Sequence, residues 1–166
     1  QAGHEIRVYS ACKENAFRQA LESSGIPTVR VEPNNEVFDE LISAFAPEAV
    51  IFDRFMLEEQ FSWRVRLNCP NALRVLDTID LHSLRRARQK RAGTWDVSQE
   101  ALSASALQLD NAELQSEDAL RELSSIYRSD LTLLVSDFEL ALLQEHYQVP
   151  EELLQLCRFG YRLPLS

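Results

Sequence analysis

Glycine is scarce: the 166 residues hold four, Gly3, Gly25, Gly93 and Gly160, so far apart that neither GxGxxG nor a Walker-type phosphate loop can be written. A nucleotide would have to be held by other means, or by another part of the polypeptide. Cysteine is as sparse. Cys12, Cys69 and Cys157 are odd in number and widely separated, which excludes a disulfide framework and a CxxC metal clamp and favours a reducing, cytoplasmic setting. No apolar run approaches the roughly 18 to 20 residues of a membrane span, so no transmembrane segment is expected, and the opening QAGHEIRVYS lacks the zones of a signal peptide. HExxH, Gly-x-Ser-x-Gly and a local Cys–His pairing are missing too, which weakens metal and serine-hydrolase chemistry. No metal and no cofactor are expected.

Positive charge is short overall but unevenly so. The net charge is -9; residues 1–91 hold 13 acidic and 13 basic groups, whereas 92–166 hold 13 acidic and only four basic. A general nucleic-acid binder presents a basic face, so nucleic acid is not an expected partner. With 45% hydrophobic and 26% charged residues, the composition suits one compact domain spanning 1–166 rather than a disordered chain.

What is present is alternation. Short apolar runs at 5–9, 28–31, 49–52, 73–76 and 131–135 read as strands. Helical spacing fills the intervals: 13–21 (Ala16, Phe17, Ala20, Leu21 on one face), 37–45 (Val37, Phe38, Leu41, Ile42, Phe45), 57–68 (Leu57, Phe61, Val65, with Trp63 at the margin), a basic helix at 81–91, and 138–147. Gly25 and Pro27, Pro47, and Pro70-Asn71 supply stops. Segment 98–127 is expected to hold two helical stretches, the clearer with Leu120, Leu123 and Tyr127 on one stripe, and the connection near 92–112 is expected to be poorly fixed. The order βαβαβαβα, further helices, then βα implies parallel strands joined by right-handed crossovers: an α/β, Rossmann-like three-layer domain. Ala49-Val50-Ile51-Phe52, wholly apolar, is expected to be buried on both faces.

Ligands of open parallel sheets bind beyond the carboxyl ends of the strands, and there the chain is polar: Ser10; Asp53-Arg54; Asp77-Thr78-Ile79-Asp80-Leu81-His82; and Ser136-Asp137-Phe138-Glu139. Each residue taken alone could be an ordinary helix cap. Asp53-Arg54, directly after a buried run, must be paired or solvated; Arg54 is a candidate anion or hydroxyl donor, or else an ion-pair partner of Asp53, Glu58 or Glu59. His82 can exchange a proton near neutral pH. In the basic helix, Arg85 lies one turn from His82 and is expected to turn inward, while Arg86, Arg88, Lys90 and Arg91 form a solvated face.

Residues 49–65 (AVIFDRFMLEEQFSWRV) and 72–85 (ALRVLDTIDLHSLR) resemble the amino-terminal domain of bacterial glycosyltransferases of the GT-B fold, of the group 1, family 4-like type. The opening QAGHEIRV is similar to that domain's second strand and the helix end before it, and LLVSDFE at 133–139 to its last strand and helix. The resemblance implies the acceptor-side half of an enzyme that moves a sugar from a nucleotide-sugar donor to a hydroxyl acceptor. It points to Asp80 and His82 as the residues nearest the transferred sugar, and less directly to Asp53, Arg54, Glu58, Arg85, Asp137 and Glu139 as substrate contacts. It also implies that the first strand and the donor-binding carboxy-terminal domain lie outside these 166 residues, which begin with Gln inside a strand. The isolated piece would then be inactive, and an unprotected sheet edge beside strand 5–9 or its neighbour would invite self-association. A non-catalytic Rossmann-like interaction or regulatory domain is the competing expectation.

Overall fold

The computed structural model describes residues 3–92 and 111–158; the first helical stretch expected within 98–127 falls largely outside them. Contacts group the chain into two units, residues 1–48 with 63–72, and residues 49–62 with 73–166.

In the first unit, β1 (Val8–Ser10) and β2 (Thr28–Arg30) are parallel, Val8 opposite Thr28. Between them runs α1 (Ala16–Ser23), N-capped by Asn15, whose side chain accepts the Arg18 N–H at 3.0 Å. The helix ends where Gly25 takes φ +80°, a left-handed conformation that costs glycine little. Its expected apolar face is not buried: Phe17 is 84% exposed and no α1 residue is buried. Helix α2 (Val37–Phe45) does bury Phe38 and Ile42, and the Phe38 ring meets Tyr9 edge-on at 5.8 Å. The carboxy-terminal part of α3 (Phe55–Asn68) adds Val65, fully buried, and an Arg64–Asp39 ion pair that gives a counter-charge to an arginine only 8% exposed, whose Nε has no partner among the described residues.

The second unit carries a four-stranded sheet of β3 (Ala49–Asp53), β4 (Leu73–Asp77), β5 (Leu131–Leu134) and β6 (Leu154–Leu156), in that spatial order and all parallel. The α/β class with parallel strands joined by helices is therefore as expected, with β6 an addition. Crossovers are made by α3, by α4 (His82–Ala92), α5 (Asn111–Leu114) and α6 (Glu117–Arg128), and by α7 (Asp137–Ala141), which continues as a π-helical turn over Leu142–His146. Leu76, Ile126, Leu134 and Leu143 are nearly or fully buried, each stabilising the fold by roughly 1.5–3 kcal/mol. The start of β5 is pinned to β4 by Asp130, which accepts both the Arg74 backbone N–H at 2.8 Å and its guanidinium at 2.7 Å.

Two expectations are corrected here. Ile51 is 64% exposed and only Phe52 of the β3 run is buried, because β3 ends the sheet and has a strand on one side only. In α6 the buried side is Asp118, Ala119, Glu122, Ser125 and Ile126, while Leu120 and Tyr127 are both 54% exposed. Polar groups occupy that face because each finds a partner: Asp118 pairs with Arg86, Glu122 accepts three hydrogen bonds, and Ser125 Oγ meets Arg128.

Candidate functional site

Strands β3, β4 and β5 end in parallel register, Asp53 opposite Asp77 and Asp77 opposite Leu133, which brings their following turns to one rim of the second unit. Two of these turns hold non-glycine residues at positive φ: Arg54 at +73° and Ile79 at +60°. For β-branched Ile79 this is a strained conformation, held by the turn around it. Asp77 Oδ1 accepts the Ile79 N–H at 3.1 Å, and the Thr78 hydroxyl donates to the Leu133 carbonyl at 3.0 Å. The turn delivers Asp80 and His82 to the start of α4.

Here helix α4 is capped by carboxylates from elsewhere in the chain. Glu122 on α6 accepts the His82 N–H at 2.5 Å through one oxygen, and the Ser83 N–H and hydroxyl at 3.0 and 2.6 Å through the other. Glu139 on α7 accepts the Leu81 N–H at 3.0 Å. Free N–H groups and the helix dipole favour negative charge at this end, yet both glutamates are buried, and burial pushes their carboxyls above the ordinary value despite those bonds.

His82 is itself buried, at 6% exposure, with its ring edge-on to Phe55 at 5.5 Å. Burial pushes the imidazole below its ordinary value; the Arg85 charge pushes the same way, and Asp80 opposes both. At neutral pH the ring is therefore uncharged. Its Nε2 stands 3.9 Å from Asp80 Oδ1, beyond hydrogen-bond reach, while the other Asp80 oxygen is held by Arg85 at 3.2 Å. His82 Nε2, Asp80 Oδ1 and Glu139 Oε2 are all buried without a hydrogen-bond partner among the described residues. Three orphaned polar atoms on the Asp80–His82 turn and the side chain that caps it are costly unless something polar joins them.

The remaining candidates separate from this cluster. Asp53 and Arg54 pair with each other, Nε to Oδ1 at 2.9 Å, and both side chains reach solvent. Glu58 is fully buried and both its oxygens are taken by Arg128, at 2.6 and 3.1 Å, so its carboxylate is engaged within the fold. Arg85 does not turn inward; its side chain is 45% exposed and works through Asp80. Asp137 lies exposed against Arg158 at 2.7 Å, and Ser136 caps α7 in the ordinary way. Glu139 does belong to the cluster. Arg86 and Arg88 are exposed, as expected of a solvated face, and from there reach Asp118 and the Phe138 ring.

Sequence reading missed Glu122 and Phe55. A signal for Glu122 existed: it stands on the helical stripe of Ala119 and Ile126, where a carboxylate must be hydrogen-bonded. In the first unit a groove of about 280 Å³ is lined by Arg30, Val31, Glu32, Asn35, Val37 and Phe38; none of the candidates lines it. Among the described residues no group of three His, Cys, Asp or Glu side chains is placed to hold a metal ion, and no helix is long and apolar enough to cross a membrane. No protein-family model matches the chain, and neither a curated protein nor a solved structure is significantly similar to it.

Proposed function

We propose that the chain is the acceptor-side part of a glycosyltransferase, with Asp80 and His82 receiving the reacting hydroxyl. The observation that carries this reading is the orphaned trio of Asp80 Oδ1, His82 Nε2 and Glu139 Oε2 beyond the carboxyl end of β4. An uncharged imidazole and a carboxylate are acceptors for the O–H donors that a sugar or other polyol presents. All three atoms are covered, so the reading requires the turn at Thr78–Asp80, strained at Ile79, to shift when the acceptor enters.

The chemistry assigned to the site is general base catalysis with electrostatic support. The acceptor oxygen attacks the anomeric carbon, the bond from that carbon to the leaving diphosphate breaks, and the hydroxyl proton passes to His82 Nε2 or Asp80. Nε2 can accept it only when the ring proton is on Nδ1. In a retaining enzyme the same two residues would hold the sugar and take no proton. Diphosphate contacts are assigned to another part of the polypeptide, since these residues have no glycine-rich loop.

The test is NMR of the His82 ring during titration with methyl glycosides of common hexoses. Saturable shifts at His82, abolished by Asp80→Asn, support the reading; no response up to about 0.1 M, well above the millimolar range of ordinary substrate affinities, overturns it. Calorimetry with UDP- and GDP-sugars is expected to show no micromolar binding by these 166 residues. The competing reading, a non-catalytic interaction domain, draws on the mutual pairing of Asp53 with Arg54 and of Asp137 with Arg158, which leaves those rim charges internally satisfied.

A further inference from the structure

We infer that the groove of the first unit binds a free α-amino acid with a small apolar side chain, its carboxylate on Arg30 and its ammonium on Glu32. The groove opens where β2 ends: Arg30 is the last residue of that strand, and Glu32 lies two residues on. Along an extended chain residues two apart share a side, and Arg30 Nη2 accordingly stands 3.4 Å from Glu32 Oε1. That contact is single and long, the two side chains are 52% and 63% exposed, and among the described residues neither side chain has another partner. Exposed pairs of this kind contribute little. A ligand that offers each group a shorter, charge-assisted bond therefore displaces the pair at small cost.

The turn that follows shapes the rest of the groove. Asn34 takes φ +60°, and Asn35 then caps α2, its Oδ1 accepting the Val37 N–H at 2.9 Å and its carbonyl the Phe38 N–H at 3.2 Å. With its oxygen engaged, the Asn35 side chain keeps its NH2 as a donor for a carboxylate. Phe38, buried with its ring edge-on to Tyr9, and Val37, half exposed, supply apolar lining. Charge selects the ligand class. A phosphate or plain carboxylate attracted by Arg30 meets the charge of Glu32, and a plain amine attracted by Glu32 meets that of Arg30; a zwitterion with its two charges close together satisfies both. Size selects within that class: about 280 Å³ is at the lower edge of ligand pockets, roughly 300–1,000 Å³, which suits one amino acid and not a nucleotide. The apolar lining favours valine, leucine or isoleucine over polar amino acids. No residue of the groove belongs to the Asp80–His82 cluster, so this site stands apart from the acceptor reading.

The experiment titrates the 166-residue chain with L-leucine and follows the backbone amides by NMR. Saturable shifts centred on residues 30–38, with a Kd at or below about 1 mM, are expected. L-leucinamide lacks the carboxylate, N-acetyl-L-leucine the ammonium and glycine the apolar side chain; each is expected to bind about tenfold more weakly or worse. Arg30→Gln and Glu32→Gln change exposed side chains and leave the fold intact. Arg30→Gln is expected to shrink the preference for leucine over leucinamide while keeping that over N-acetyl-leucine, and Glu32→Gln to do the reverse. Three results would each overturn the proposal: no saturable shift up to about 50 mM leucine, far above the weakest expected Kd; leucinamide or N-acetyl-leucine binding the unaltered chain as tightly as leucine; or shifts centred outside residues 30–38.

Discussion

The carboxylate of Glu122 accepts the backbone N–H of His82 at 2.5 Å across forty residues of sequence, so a side chain of α6 fixes the first turn of α4 and, with it, the position of the imidazole. Replacing it with alanine leaves the His82 and Ser83 donors buried without an acceptor. Glu122→Ala is expected to lower unfolding stability by roughly 1–3 kcal/mol, measured by urea titration. An unchanged midpoint would remove Glu122 from the cap.

Acid should act on Glu122 and Glu139 in an uncommon direction. Burial raises their folded values above the ordinary one, so their contribution to stability is fully present below about pH 4.3 and is lost as pH rises through the folded values. The wild type is therefore expected to gain on Glu122→Gln as pH falls from neutrality towards that value. A stability difference that is constant over the range, or moves the other way, contradicts burial as the dominant cause.

His82 has the opposite sign. Its folded value is depressed by burial and by Arg85, so its contribution is present above the ordinary histidine value of about 6.5 and is lost as pH falls through the folded value. The ring is expected to titrate with a midpoint below 6.5 by NMR. His82→Gln is expected to remove the corresponding loss of stability on mild acidification.

Glu58 and Arg128 form a pair in which only the carboxylate is fully buried. Arg128→Ala strands that charge and is expected to cost about 3 kcal/mol, the lower end for a broken buried pair because half the arginine side chain meets water. The double change Glu58→Leu, Arg128→Met removes the stranded charge and is expected to cost less than the single one. Chemical denaturation of both variants decides it.

Ile79 is held at φ +60° with its side chain 36% exposed. Ile79→Gly relieves a conformation that costs an ordinary residue about 1–2 kcal/mol, against a smaller entropic penalty for glycine. The variant's Tm is expected to rise. A fall would mean that side-chain contacts outweigh the strain.

Strands were legible because each apolar run ends at a charge or a turn residue, as Phe52 does at Asp53 and Leu76 at Asp77. β6 escaped because Leu154-Gln155-Leu156 is too short to form a run. The buried face of α6 escaped for another reason: Leu120, Leu123 and Tyr127 make the more apolar stripe, but Asp118, Glu122 and Ser125 are buried through bonds to Arg86, the start of α4 and Arg128, and hydropathy does not register satisfied polar groups. At the candidate site, the rule that places ligands beyond the carboxyl ends of strands marked four polar loops, and the resemblance narrowed them to Asp80 and His82. It could not show that Glu58 meets Arg128, since those residues stand 70 positions apart and only the folded chain brings them together.

The parallel pairing of β4 with β5 also constrains the order of folding. The Thr78 hydroxyl binds a carbonyl 55 residues later, at Leu133, so this half of the sheet cannot begin to close until α6 and β5 have both been synthesised. β3 and β4, joined through the single helix α3, can pair earlier. During translation the emerging chain therefore passes through a stage in which β4 as well as β3 offers a free edge. Closing so long a loop is slow, and that interval is when a chaperone or a neighbouring nascent chain has access to the sheet.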